Sequence, residues 1–116
     1  MDISTVSHPR RIAMQEVALT ADAVKGALLL IVDDVPANLS VLGDLLRDAG
    51  YRVKAANSGR AALRYAAQEP RPSLILLDVM MPEMDGYQVL AALRQDPATR
   101  DIAVIFLTAL DNARDE

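Results

Sequence analysis

Cysteine is absent from this 116-residue chain, and histidine occurs once, at His8. The first absence excludes disulfides and thiolate-bound zinc, and the second leaves no set of imidazoles to hold a metal. A resident metal would therefore be a hard cation held by oxygen ligands. No apolar run approaches the roughly 20 residues that a membrane-spanning helix needs. Basic excess is also lacking: 12 Lys and Arg against 16 Asp and Glu give a net charge of −4, which argues against nucleic acid as a partner. Arg10-Arg11 lacks the apolar stretch that an export signal requires, because Gln15, Glu16 and Asp22 interrupt the residues after it. Together these absences point to a cytoplasmic protein without a membrane contact. With 52% hydrophobic and 24% charged residues, the chain has the composition of one soluble globular domain.

What is present becomes regular only from Ala27 onward. Residues 1–26 mix polar and apolar side chains without a sustained period and are expected to form an N-terminal arm, with a short helix over Ile12 to Leu19 as an alternative. ALLLIVD then reads as a strand buried on both faces. Pro36 marks a helix start with Asp34 as candidate N-cap, and Leu39, Leu42, Leu45, Leu46 and Ala49 form its apolar stripe up to Gly50. Tyr51, Val53 and Ala55 alternate with polar residues as a half-exposed second strand. Asn57-Ser58 opens a second helix that runs to about Gln68 and is closed by Pro70-Arg71-Pro72. SLILLD repeats the first strand's form. After the loop VMMPEMDG comes a third helix with Tyr87, Val89, Leu90 and Leu93 inward, ending near Asp96-Pro97. IAVIFLTA, Ile102 to Ala109, is a fourth buried strand. The order β-α-β-α-β-α-β predicts an α/β doubly wound parallel sheet with the flavodoxin-like strand order 2-1-3-4.

In such sheets the functional crevice lies beyond the carboxyl ends of the strands, where the strand order reverses, here between the first and third strands. Those strands end in Asp33-Asp34 and Asp78, and the neighbouring fourth strand ends in Thr108. Taken singly, each residue has a plain structural reading: a helix cap, a turn aspartate, a β-branched strand residue. Taken together, three carboxylates and a hydroxyl share one rim. Carboxylates that close together repel unless a proton or a cation neutralises them. A hard divalent ion such as Mg²⁺ fits best, since it takes one or two carboxylates, keeps several waters and favours a phosphoryl oxygen.

IVDD, LLDVMMPEMDG and FLTA, in this order and spacing, resemble the receiver domain of two-component response regulators over Leu28 to about Asp111. The resemblance implies that Asp78 accepts a phosphoryl group from the phosphohistidine of a sensor histidine kinase or a phosphotransfer protein. It implies that Asp34 ligates Mg²⁺ directly, that Asp33 binds the ion mainly through water, and that the backbone carbonyl of Met80 is a further ligand. Thr108 would hydrogen-bond the phosphoryl group and shift on activation. Gly86 is expected to relieve crowding where the loop meets the third helix, Pro82 to stiffen that loop, and Met81 and Met84 to pack it.

The chain departs from that family at its end. The family's lysine on a fifth strand has no counterpart, since Lys25 and Lys54 both precede Asp78, and the aromatic switch residue is missing too. Residues 27–116 are thus expected to be a receiver unit that stops before its fifth strand. Its fourth strand would be an open apolar edge inviting self-association. A haloacid-dehalogenase-type phosphatase fits less well, because it wants an aspartate where Met80 stands and a downstream lysine. A receiver-like docking module that works without phosphorylation is the alternative. The favoured reading is a signalling or binding domain rather than an enzyme.

Overall fold

The computed structural model describes residues 26–107. The expected N-terminal arm, apart from Gly26, and the end of the fourth strand with Thr108 therefore lie outside the described residues. Within them the chain runs β1 (Leu28–Val32), α1 (Pro36–Asp48), β2 (Arg52–Ala56), α2 (Gly59–Ala67), β3 (Leu74–Leu77), α3 (Gly86–Gln95) and β4 (Ala103–Phe106). The four strands form one sheet in the order β2-β1-β3-β4, parallel at every pairing. This is the doubly wound order expected from the sequence.

Both faces of the sheet are covered, which is why β1 and β3 are apolar at every position. Leu30, Val32, Ile75, Leu77, Val104 and Phe106 pack with Ala62, Ala66, Val89 and Leu93, so α2 and α3 share one face. Leu29, Ile31 and Leu76 pack on the other face with Leu42 and Leu46 of α1 and with Tyr51. Each fully buried Leu, Ile or Val contributes about 1.5–3 kcal/mol from the area removed from water.

Helix ends follow local chemistry. At the end of α1, Gly50 adopts φ 103°, while its N–H donates to Arg47 and that of Tyr51 to Leu46. This is a Schellman stop, with Tyr51 packing in the same cluster as Leu46. Ser58 caps α2 by accepting from the Ala61 N–H at 3.1 Å. Asp85 and Gln88 cap α3 reciprocally, each side chain accepting from the other residue's backbone N–H at 2.9 Å.

Several expectations need correction. The N-cap of α1 is Val35, which offers no side-chain acceptor, and not Asp34. Leu45 is 51% exposed because it lies about 100° around the helix from buried Leu46, outside the stripe made by Leu39, Leu42, Leu46 and Ala49. Ala55 is exposed, and β2 ends on buried Ala56 instead. Tyr87 is 53% exposed, its ring leaning on Phe106 with centroids 5.1 Å apart. In β4, Val104 and Phe106 are buried on the α2–α3 face, while on the other face Ala103 is exposed and Ile105 half-buried, so that second face is covered only in part. Among the described residues β2 and β4 are the sheet's two edges.

Candidate functional site

Register brings the acidic residues together. β1 and β3 are neighbours with Val32 opposite Leu77, so the next residues, Asp33 and Asp78, emerge side by side. Backbone hydrogen bonds carry the ladder to this level, Asp78 N–H to Val32 at 2.9 Å and Asp33 N–H to Ala56 at 3.1 Å. The rim sits where the order reverses, because β2 and β3 lie on opposite sides of β1.

Asp33, Asp34 and Asp78 each place a carboxylate oxygen within 4.8 Å of the others. Asp33 is 2% exposed and Asp78 4%, whereas Asp34 is half-buried. At that separation and an effective dielectric constant near 20, each ionised pair repels by about 3 kcal/mol. The chain's own donors offset part of this. Val35 N–H donates to one oxygen of Asp33 at 2.9 Å, and the Asn38 side-chain amide donates to the other at 3.1 Å. Met80 N–H approaches an oxygen of Asp78 at 3.3 Å, while the Met80 side chain is 64% exposed. Hard oxygen donors clustered at the mouth of a parallel sheet match a hard divalent cation.

The loop after Asp78 is shaped to keep this rim in place. Met84 N–H donates to Pro82 at 2.7 Å across Glu83, which takes φ 70°. That tight turn folds the loop back, and Met81 and Met84 pack against the core as expected. Gly86 then lies directly on the end of β3: its N–H donates to Val79 at 2.8 Å, and a Cβ there would stand 2.6 Å from the Asp78 carbonyl oxygen and 2.9 Å from Val79 Cα. Both obstacles are backbone, so the glycine is required by close approach. At Gly59 a Cβ would meet the side chains of Met84 and Val89 at 2.9 Å, a tight fit its sequence context does not show.

Of the residues expected at the site, Asp33, Asp34 and Asp78 converge, and Met80 lies in the adjoining loop. Thr108 lies outside the described residues, one position after Leu107, whose N–H donates to Leu77 at 2.9 Å. Asn38 is an addition that the sequence does not single out. Its only signal there is an amide residue one helical turn into the helix after the aspartate pair.

A parallel sheet of this order, with an acidic rim at its switch point, belongs to the doubly wound, flavodoxin-like class. The chain matches the response regulator receiver domain over residues 29–116 and belongs to that family. It is 48% identical over 88 residues to a probable cyclic di-GMP phosphodiesterase of Vibrio cholerae, an alignment covering 76% of this chain and 20% of that protein. It is 47% identical over 89 residues to the response regulator PleD of Caulobacter vibrioides, covering 77% of this chain and 19% of PleD. The chain thus spans about a fifth of the length of these two curated relatives. Among solved structures, the N-terminal domain of a response regulator receiver protein from Methanoculleus marisnigri superimposes with a TM-score of 0.66 at 42% identity, over 69% of this chain and 64% of that one. The Mn²⁺-bound form of response regulator Rcp1 gives 0.61 at 31% identity, over 69% and 63%. The chain is a receiver domain of the two-component response regulator family. Among the described residues no helix is long and apolar enough to cross a membrane.

Proposed function

We propose that Asp78 is the phosphoacceptor of this receiver domain, working in the cytoplasm with Mg²⁺ held by Asp33, Asp34, Asp78 and the backbone carbonyl of Met80. The observation that carries this reading is the convergence of three carboxylates, two of them buried, at the sheet's switch point. The likeness to a response regulator solved in its Mn²⁺-bound form supports a divalent ion for this chain.

A carboxylate is a weak nucleophile, so transfer depends on positioning and on screening of charge. In the transfer an Asp78 oxygen forms a bond to phosphorus as the P–N bond of the donor's phosphohistidine breaks, and the imidazole leaves with that electron pair. Bound at the rim, Mg²⁺ would screen the phosphoryl oxygens and the acidic cluster. The protein's own contribution is to fix Asp78 at the end of a buried strand, to hold Asp33 by two donors, and to keep the loop closed over Gly86. Thr108, the residue after Leu107, is assigned by the family resemblance the hydroxyl that would meet the phosphoryl group. Self-association through the outer edge of β4 belongs to the same reading. Light scattering is expected to show a dimer at high concentration, and a stable monomer there would remove that part.

The test is incubation of the chain with acetyl phosphate, with and without Mg²⁺, followed by intact mass measurement. One phosphoryl group is expected with Mg²⁺ and none on Asp78→Asn. An equal gain on Asp78→Asn would overturn the assignment. A chain that raises its melting temperature with Mg²⁺ yet never gains the group would favour docking without phosphorylation.

A further inference from the structure

Asn38 stands at the third position of α1, where a side chain ordinarily serves the helix start, as Gln88 does in α3 by accepting from its own cap. Asn38 does something else. Its amide nitrogen donates to Asp33, five residues earlier and buried, while Val35 N–H holds the other oxygen of that carboxylate. An ionised carboxylate only accepts, so the amide must present its NH₂ to Asp33. The two donors come from the same helix start and fix both the position and the rotation of the carboxylate plane.

We propose that Asn38 is a positioning residue for the metal site: it sets the orientation in which Asp33 meets a divalent cation or the water bound to it. The inference rests on the reading that the acidic rim holds Mg²⁺. Partners that orient a metal's carboxylates through hydrogen bonds act on affinity even though they never touch the ion. Asn38 also has a lower helix propensity than the alanine or leucine that would fit an exposed first turn, so its presence is not explained by helix stability.

The experiment is titration of the whole chain with Mg²⁺, and separately with Mn²⁺ read by water-proton relaxation, for the wild type, Asn38→Ala, Asn38→Leu and Asn38→Gln. Asn38→Ala and Asn38→Leu are expected to weaken binding by about tenfold, with Asn38→Gln recovering part because it keeps an amide donor. In an Asp33→Ala background the Asn38→Ala change is expected to have no further effect on affinity, because the group through which Asn38 acts is gone. Wild-type affinity in Asn38→Ala, or an undiminished loss in the Asp33→Ala background, would overturn the inference while leaving the acidic site in place. A wild-type chain that binds neither ion would overturn the site and the inference together. A purely structural role would lower the melting temperature equally with and without Mg²⁺ and leave affinity unchanged, which also counts against it.

Discussion

The starts of α1 and α3 flank the same acidic rim and are built in opposite ways. At α3 the helix looks after itself: Asp85 and Gln88 satisfy each other's backbone, and Gly86 lets the first turn lie directly on the end of β3. At α1 the cap position holds Val35, which has no side-chain acceptor, and the Val35 N–H and the Asn38 side-chain amide are turned toward Asp33. One helix start is a scaffold that keeps Asp78 and its loop in place. The other gives up a self-contained cap to orient a carboxylate. Local disagreement with helix-start rules thus falls beside a carboxylate proposed for the metal site, where consistency with the fold alone would not place it.

The largest expected break in this contrast is Gly86→Ala. With backbone 2.6 and 2.9 Å from the new Cβ, the α3 start must move off β3, and a loss of about 3 kcal/mol is expected by urea denaturation. That displacement also shifts Asp78, so Mg²⁺ affinity should fall in the same variant. Removing the α3 cap with Asp85→Ala is expected to cost about 1 kcal/mol, measured in the same way, and to leave Mg²⁺ affinity within a factor of about two. Val35→Ser would supply α1 with the acceptor that α3 already has. A gain of about 0.5 kcal/mol is expected, visible as a higher urea midpoint at unchanged slope. The smallest effect belongs to Leu45→Ser on the exposed flank of α1, at most about 0.5 kcal/mol, whereas Leu46→Ala beside it should lose about 3 kcal/mol.

The sheet and its acidic rim are legible because their signals are one-dimensional. Runs such as LLLIV and LILL need burial on both faces, and an aspartate placed straight after each run lands at the same end of a parallel sheet. Gly86 is legible too, as the glycine where the VMMPEMDG loop turns into the third helix. Side-chain direction at the margins is not. Leu45 fits the helical period only loosely, since it lies off the stripe that Leu46 belongs to, and Tyr87 stays exposed with its ring leaning on Phe106 of β4. Proximity to Pro36 favours Asp34 as the cap, whereas the chain's turn makes Asp33 the acceptor for this helix start. The hydrogen bonds of Thr99 to Leu93 and of Arg94 to the carbonyls of Arg100 and Ile102, which close the turn between α3 and β4, likewise depend on partners that only the folded loop brings near.

The assignment of Asp78 is tested most directly by reducing the acetyl phosphate-treated chain with borohydride, which converts an acyl phosphate to an alcohol, and sequencing its peptides by mass spectrometry. Homoserine at position 78, dependent on Mg²⁺ during loading, is the expected result. Homoserine at position 33 or 34 instead, or at position 78 equally without the metal, would contradict it.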